Sequence, residues 1–492
     1  MLHSSSRERI ADSAKRAARV RTAQSGEMQA GSSRRPSERA VDPGSYTLFE
    51  NGDLEASFWQ LQHERRIPLG AGSLRKRTPA SLREVSAALP EGSAYVCILC
   101  EAQGGAALVL RRGSTRVEAL SLPNLTTAAV GILMCGDCQP TAERVSVRQG
   151  YRRFLRQLGG RRVLYGNAWR EWNDLLESRL RWLHQIGWGR LHQWLRERLR
   201  LPIGTELLLS LPPALVGLPI CAIFDSSSQR HFLDDFAVSQ VPNAEWLLRC
   251  VHCAAVAQAE SPQLLAVVDP GGDLPNEPDW LQVGWQKESR SCEVLYGGDA
   301  TVSELLARLP GCTHYVHFGH GSRRGRNAVL ELAPEHSGDD GPAELSGRQI
   351  RRLKLCCNRL TILAACESGP ASGSCHSGLS DGLAGSFLKA GSACVIGTLW
   401  PVEASTTRRV VAALLKAHSV PSDGGSPLSP ARALRLAQLE LRDSGLEPVV
   451  CDETPRPLSL LHLRPGRQAD PSNGTIVQSK LYYWAAFSCL GS

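Results

Sequence analysis

The chain has 492 residues, 42% of them hydrophobic and 21% charged, with a formal net charge of +8. That length and apolar share support a large core and two or three domains, and no apolar run approaches the roughly 20 residues of a membrane-spanning helix. Residues 1–45 carry 9 Lys or Arg against 5 Asp or Glu, which is half of the net excess, so the remainder is too dilute to argue for nucleic acid as the main partner.

Residues 1–45 are rich in Ser, Arg and Ala and poor in large apolar side chains, a composition that predicts a disordered basic tail. An Arg-rich start is similar in composition to an organelle transit peptide, but the simpler solvated leader is the preferred reading. No secretory-type apolar segment opens the chain, so a cytoplasmic protein is expected. Residues 46–200 read as an N-terminal region of mixed structure. Short strands at 93–100, 106–111 and 116–120 form a meander, with Gly104-Gly105 and Gly113 at its turns. From 151 to 201, apolar residues including Trp169, Trp172, Trp182, Trp188 and Trp194 recur at amphipathic helical spacing. The Arg residues between them are read as stems lying over the edges of a core, not as a platform for nucleic acid.

From Thr205 the pattern alternates between strand and helix, the signature of a parallel sheet with covering helices. Strands are predicted at 206–211, 264–268 and 293–296. A helix over 301–309 follows, capped by Thr301 with Glu304 three residues later. Next come a strand ending at His320-Gly321, a hairpin near 328–332 and a strand ending at Cys366. A helix at 381–389, a strand at 393–399, helices at 406–418 and 431–441, and a closing strand at 482–490 complete the series. The stretches 419–429 and 451–474, rich in Pro, Gly and Ser, read as surface loops.

Sixteen cysteines in so long a chain do not suggest a disulfide framework, which belongs to short secreted domains. Three CxxC pairs occur, Cys97 with Cys100, Cys135 with Cys138, and Cys250 with Cys253. The first lies in a predicted strand, where positions three apart face opposite sides; the last lies in a helical pattern, where free Cys serves as a small buried hydrophobe. Neither context suits a zinc ribbon, and no metal or other cofactor is expected.

His320 and Cys366 each stand at the downstream end of a buried apolar run. In an open parallel sheet reactive groups gather outside the carboxyl ends of the strands, so two residues far apart in sequence can meet there as a nucleophile and base. A cysteine after an apolar run usually serves packing. His317 and His320, three apart in one strand, face opposite sides. Only His320, before the glycine at the strand end, is placed to serve Cys366, and His317 is expected to hydrogen-bond within the core.

His317-Phe318-Gly319-His320-Gly321, Leu363-Ala364-Ala365-Cys366-Glu367-Ser368-Gly369, the run from Gly382 to Gly391, and Gly397-Thr398-Leu399-Trp400-Pro401-Val402 resemble, in order, the motifs of the CHAT domain. This is a separase-like branch of the caspase-type cysteine peptidases. Leu209-Ser210-Leu211-Pro212-Pro213 and the terminal Tyr483-Trp484-Ala485-Ala486-Phe487 are similar to that family's beginning and end. The resemblance is strongest from 205 to 491 and weaker upstream to about 93.

The resemblance implies an α/β fold with a caspase-like, mostly parallel sheet flanked by helices over 201–492, preceded by the mixed α/β region. It implies a cysteine endopeptidase acting on a protein substrate, with Cys366 as the thiolate nucleophile and His320 as acid and base. Backbone N–H groups of Gly321 and Cys366 would form the oxyanion hole. Glu367, Asp381 and Glu403 are candidate acids for a basic side chain before the cut. Asp381 is equally an N-cap, and Ala404 stands where many relatives carry a second acid. No 34-residue repeat marks a built-in sensor, so residues 46–200, or an activating partner or sensor protein, are expected to control access to Cys366. A regulated effector in signalling, defence or cell death is the implied role; a catalytically silent scaffold or interaction module is the alternative.

Overall fold

The computed structural model describes residues 44–65, 81–135, 147–158, 168–274, 280–281, 285, 290–324, 327–336, 341–366, 368–370, 382–419, 427–444, 447–448, 463–464 and 480–492. By its internal contacts the chain divides between residues 43 and 44, so all of these belong to one unit. Residues 1–43 of the expected basic tail and most of the loops expected at 419–429 and 451–474 lie outside the described residues, whereas Ser45, at the tail's expected end, is buried at the start of a helix.

Three short helices open the unit, α1 (Ser45–Glu50), α2 (Leu54–Glu64) and α3 (Leu82–Ala88). Asp53 caps α2 by accepting from Ala56 N–H at 3.0 Å, and Ser81 caps α3 through Glu84 N–H at 3.2 Å, satisfying first-turn amides that lack a helical acceptor. The expected meander follows as β1 (Ser93–Cys100), β2 (Gly105–Arg111) and β3 (Glu118–Leu122). Helices α4 (Thr127–Cys135), α5 (Val147–Leu158), α6 (Ala168–Leu183) and α7 (Gly189–Gln193) then fill the Trp-rich region.

The alternating part begins with β4 (Thr205–Ser210), a small hairpin of β5 (Phe224–Asp225) and β6 (Arg230–His231), and β7 (Phe236–Gln240). After α8 (Ala244–Gln258) come β8 (Gln263–Val268), β9 (Ser291–Tyr296), α9 (Val302–Arg308) and β10 (His314–Phe318). A three-stranded side sheet is formed by β11 (Gly321–Arg324), β12 (Asn327–Leu332) and β13 (Ala343–Ser346). The chain continues through β14 (Leu360–Ala364), α10 (Leu383–Ala390), β15 (Cys394–Thr398), α11 (Ala404–Ser419), α12 (Pro430–Asp443), α13 (Leu481–Trp484) and β16 (Phe487–Gly491).

Eleven strands form one sheet in the order β3-β2-β1-β4-β7-β16-β15-β14-β10-β8-β9. It is mostly parallel and flanked by helices, as the sequence predicts. β1, β4, β7 and β16 run parallel, as do β15, β14, β10, β8 and β9, and the two sets meet antiparallel where Ile396 faces Cys489. Every residue of β10, β14 and β15 is buried, the continuous apolar run expected of strands covered on both faces. Alternation splits β1 between two cores. Ala94, Val96 and Ile98 face one; Tyr95, Cys97 and Leu99 face the other, beneath Phe58, Leu61, Val85 and Leu247.

Cys97 and Cys100 accordingly diverge, Cys97 lying in the second core with Gln62 Nε2 3.4 Å from its sulfur and Cys100 packing against the first. Cys250 and Cys253 are buried on α8, and Cys138 lies outside the described residues. Among the described residues no three His, Cys, Asp or Glu side chains are grouped to hold a metal ion, and no helix is long and apolar enough to cross a membrane.

One detail differs from the sequence reading. Residues 481–484, the first part of the expected closing strand, form a helical turn, and the strand that follows lies between β7 and β15. The sheet is also continuous across residue 200, because β1 pairs with β4 from Ser93 beside Glu206 to Cys97 beside Ser210.

Candidate active site

β10 and β14 are parallel neighbours, with His317 beside Leu363 and Phe318 beside Ala364. The pairing continues past the strands, where Gly319 N–H donates to Ala364 O at 3.4 Å. Two residues beyond the last ladder pair, His320 and Cys366 stand at matching levels outside the carboxyl ends of adjacent strands. Both side chains are partly exposed.

His320 has a partner that no local sequence pattern announced. Its Nε2 lies 2.8 Å from Asp273 Oδ1. Asp273 is delivered by Asp269, which follows β8 in the left-handed region at φ 48°. Asp269 N–H donates to Phe318 O at 2.9 Å, tying the turn to the end of β10. Its Oδ1 accepts from Asp273 N–H and from Leu274 N–H, each at 3.0 Å, and its carbonyl accepts from Gly272 N–H at 3.1 Å. These bonds hold a backbone conformation that costs a non-glycine residue about 1–3 kcal/mol, and strain of this kind concentrates at functional sites. Burial pushes the Asp269 carboxyl up, opposed by the Leu274 and Asp273 amides. A carboxylate on one imidazole nitrogen fixes ring orientation and tautomer, leaving the other nitrogen for a thiol.

Cys366 opens a turn fastened to the strand beside it. Ser368 Oγ donates to Leu363 O at 2.8 Å, and Thr398 Oγ1 donates to Ala365 O at 2.6 Å. Thr398 N–H donates to Ser368 Oγ at 3.2 Å, and Gly369 N–H donates to Thr398 O at 2.9 Å. Glycine is needed on both sides of this seam. A Cβ on Gly397 would fall 2.8 Å from Gly369 N, and one on Gly369 would fall 2.9 Å from Thr398 O.

Gly321 passes against the same turn. A Cβ there would lie 3.1 Å from both Ala365 Cβ and Cys366 O. Gly321 pairs with Leu330, and Glu331 N–H donates to His320 O at 3.0 Å, one residue outside that pair. Gly321 and Leu330 are therefore a non-hydrogen-bonded pair, and the ladder makes no use of the Gly321 amide beside Cys366.

His317 lies wholly in the core with Nδ1 3.1 Å from the Tyr315 hydroxyl, and burial pushes its pKa down to about 3. That agrees with its expected core role. Glu403 is only 1% exposed; its carboxylate accepts from Ser405 Oγ and from Thr406 Oγ1, and its carbonyl accepts from Thr407 Oγ1 at 3.0 Å. It fastens the first turn of α11, and burial pushes its carboxyl up to about 7. Glu367 and Asp381 lie outside the described residues. The structure thus gathers His320, Gly321 and Cys366, adds Asp273, and commits Glu403 to a helix start.

The family profile of the CHAT domain matches residues 177–492. No curated protein matches the sequence. Among solved structures, the Saccharomyces cerevisiae separase–securin complex is similar with 14% identity and a TM-score of 0.42, over 83% of this chain and 31% of that one. The Arg-specific cysteine proteinase gingipain R (RgpB) is similar with 9% identity and a TM-score of 0.36, over 65% of this chain and 67% of that one. The complex of the Porphyromonas gingivalis RgpB pro- and mature domains is similar with 8% identity and a TM-score of 0.37, over 65% and 68%. The chain spans about a third of the length of the separase chain it matches.

Proposed function

Because the chain belongs to the CHAT domain family, we propose that it is a cysteine endopeptidase in which His320 and Cys366 hydrolyse peptide bonds of a protein substrate. The observation that carries this reading is the seating of Gly321 against the Cys366 turn, next to His320, whose imidazole is held by Asp273.

The Cys366 thiolate attacks the scissile carbonyl carbon, forming a C–S bond as the carbonyl electron pair moves to oxygen. Backbone N–H groups of Gly321 and Cys366 stabilise that oxygen. His320, steadied by Asp273, donates its proton to the leaving amine as the C–N bond breaks, and a thioester remains. His320 then takes a proton from water, whose oxygen attacks the thioester and releases the carboxylate product and the Cys366 thiolate.

Recognition of a basic side chain before the cut would fall to Asp381 or Glu367, since the Glu403 carboxylate is occupied at the start of α11. The role that fits is a regulated effector, with access to Cys366 governed by the N-terminal region or a partner protein. Support comes from the ring series that joins α5 and α6 to the catalytic side: Phe154 packs on Tyr482 at 6.0 Å and Trp172 on Trp400 at 6.1 Å between centroids.

An active-site thiol probe on wild type, Cys366→Ala and His320→Ala tests the reading. Labelling should be lost in Cys366→Ala and strongly slowed in His320→Ala. Labelling that persists in Cys366→Ala would place the nucleophile elsewhere, and folded wild type that is inert to probe and peptides would favour the scaffold.

A further inference from the structure

A cavity of about 340 Å³ opens between α6, the β5–β6 hairpin and α13. Its volume lies within the roughly 300–1,000 Å³ of small-molecule sites. Leu180, Phe224, Leu481 and Trp484 supply apolar and aromatic walls, and Arg181 and His231 supply polar edges. The His231 ring is held between Phe224 and Trp484, with centroids at 4.9 and 5.2 Å. Burial pushes its pKa down to about 4, so at neutral pH it is an uncharged hydrogen-bonding wall. Arg181 uses Nε on Glu177 O at 3.4 Å, and its two terminal nitrogens have no partner among the described residues. A planar fork of this kind matches a carboxylate. Glu177, on the same wall, is engaged by Asn173 Nδ2 at 2.7 Å.

The cavity is wired to the catalytic side through α13. Asn173 Oδ1, on the residue that holds Glu177, accepts from Tyr482 N–H at 3.0 Å. Tyr482 OH donates to Pro401 O at 2.6 Å, and its carbonyl accepts from Trp400 Nε1 at 2.9 Å. Trp400 and Pro401 follow β15, whose Thr398 pairs with Phe487 just after α13. Cys366 and Glu403 lie near enough for their charges to act on the Tyr482 hydroxyl, after burial and Tyr483. Leu481 and Trp484 therefore touch the cavity while Tyr482, between them, touches the catalytic loops.

We propose that this cavity is a regulatory site for a small aromatic carboxylate, its ring among Phe224, Leu481 and Trp484 and its carboxylate on Arg181, and that occupancy is relayed to Cys366 through Tyr482. The relay rests on the peptidase reading of Cys366; the binding site does not. A ligand that shifts α13 must alter the Tyr482 contacts to Trp400 and Pro401, because both run through the same four-residue turn.

The test titrates 2-naphthoate, with neutral 2-naphthamide as control, into the full chain by calorimetry. In parallel, Cys366 alkylation by iodoacetamide is followed by peptide mass spectrometry, with exposed Cys356 as internal reference. One naphthoate per chain should bind, the amide at least tenfold more weakly. Arg181→Ala should weaken naphthoate at least tenfold without changing Tm. Naphthoate should change the Cys366 alkylation rate severalfold in wild type and leave Cys356 unaffected. Tyr482→Phe, which loses the bond to Pro401 O and keeps the carbonyl bond to Trp400, should bind naphthoate normally and show a clearly smaller response. Equal affinity for acid and amide, or for wild type and Arg181→Ala, overturns the site, and binding with an unchanged Cys366 rate overturns the relay. If Cys366 reacts no faster than Cys356 under any condition, the peptidase reading fails while the binding result stands.

Discussion

Asp273 Oδ1 lies 2.8 Å from His320 Nε2, and the loop that brings them together is turned by Asp269 in a left-handed backbone conformation. The pair joins the segments that follow two different strands, β8 and β10, and on the peptidase reading it orients the imidazole and adds little to fold stability. Asp273 is about half exposed, where an ion pair contributes about 0–1 kcal/mol. Asp273→Asn should therefore slow Cys366 labelling and peptide cleavage by roughly 10–100-fold, as loss of a partner that orients a catalytic group does, while Tm moves by no more than a degree or two. Unchanged kinetics would reject the positioning role.

Glu403 predicts a pH dependence of stability. Burial raises its folded pKa to about 7, whereas an unfolded glutamate titrates near 4.3. Between those values the folded chain keeps a proton that the unfolded chain has released, so folding is favoured less as pH rises. The stability is full below about pH 4 and is lost as pH climbs through 7, by up to about 4 kcal/mol. Glu403→Gln keeps one of the two acceptor oxygens that Ser405 and Thr406 use and removes the titration. The Tm of wild type should fall relative to Glu403→Gln by several degrees between pH 5 and 8, and parallel profiles would count against the burial argument.

Two glycines separate placement of the site from integrity of the fold. A Cβ on Gly397 meets the backbone nitrogen of Gly369 at 2.8 Å, so Gly397→Ala must move one chain from the other and should destabilise by more than about 3 kcal/mol. On Gly321 the Cβ meets Ala365 Cβ and Cys366 O at 3.1 Å, a shortfall of a few tenths of an ångström. Gly321→Ala should leave a folded protein with cleavage lowered roughly 100-fold, the effect of a small misplacement in an active site. Denaturant midpoints beside kinetics for both variants give the comparison; an active, stable Gly397→Ala would refute it.

Much of this was legible because period and length speak locally. The runs that became β4, β8, β10, β14 and β15 are apolar, short and bounded by turn residues, and Thr301 with Glu304 marks the start of α9, where Thr301 Oγ1 accepts from Glu304 N–H at 3.3 Å. The strand ends at His320 and Cys366 followed directly. Asp273 did not, since its bond to His320 spans 47 residues and depends on one φ value at Asp269. The place of β16 was hidden for a similar reason. Its buried pattern fits a central strand or a covered edge equally, and only pairing with both β7 and β15 decides. Glu403 looked like a recognition acid by position, while its carboxylate accepts from the hydroxyls of Ser405 and Thr406 in the first turn of α11.

The pairing of β1 with β4 bears on where the folding unit begins. The family profile starts at residue 177, which suggests a fragment of 177–492 as a self-sufficient CHAT domain. That fragment lacks β1, β2 and β3, so the β4 edge from Glu206 to Ser210 loses its partner. Leu207, Leu208 and Leu209, all fully buried, lose the strand that flanks them. Phe154 and Trp172 also disappear from beside Tyr482 and Trp400, and truncating one such core aromatic alone costs about 3–5 kcal/mol. An unpaired apolar edge is in addition a template for aggregation. The fragment should therefore be insoluble or unfold without a cooperative transition, whereas 44–492 should melt as the whole chain does. Residues 46–200 would then control Cys366 as part of the same sheet and core, not as a detachable inhibitor. A soluble 177–492 fragment with a sharp transition and faster Cys366 labelling than the full chain would instead make them a removable brake.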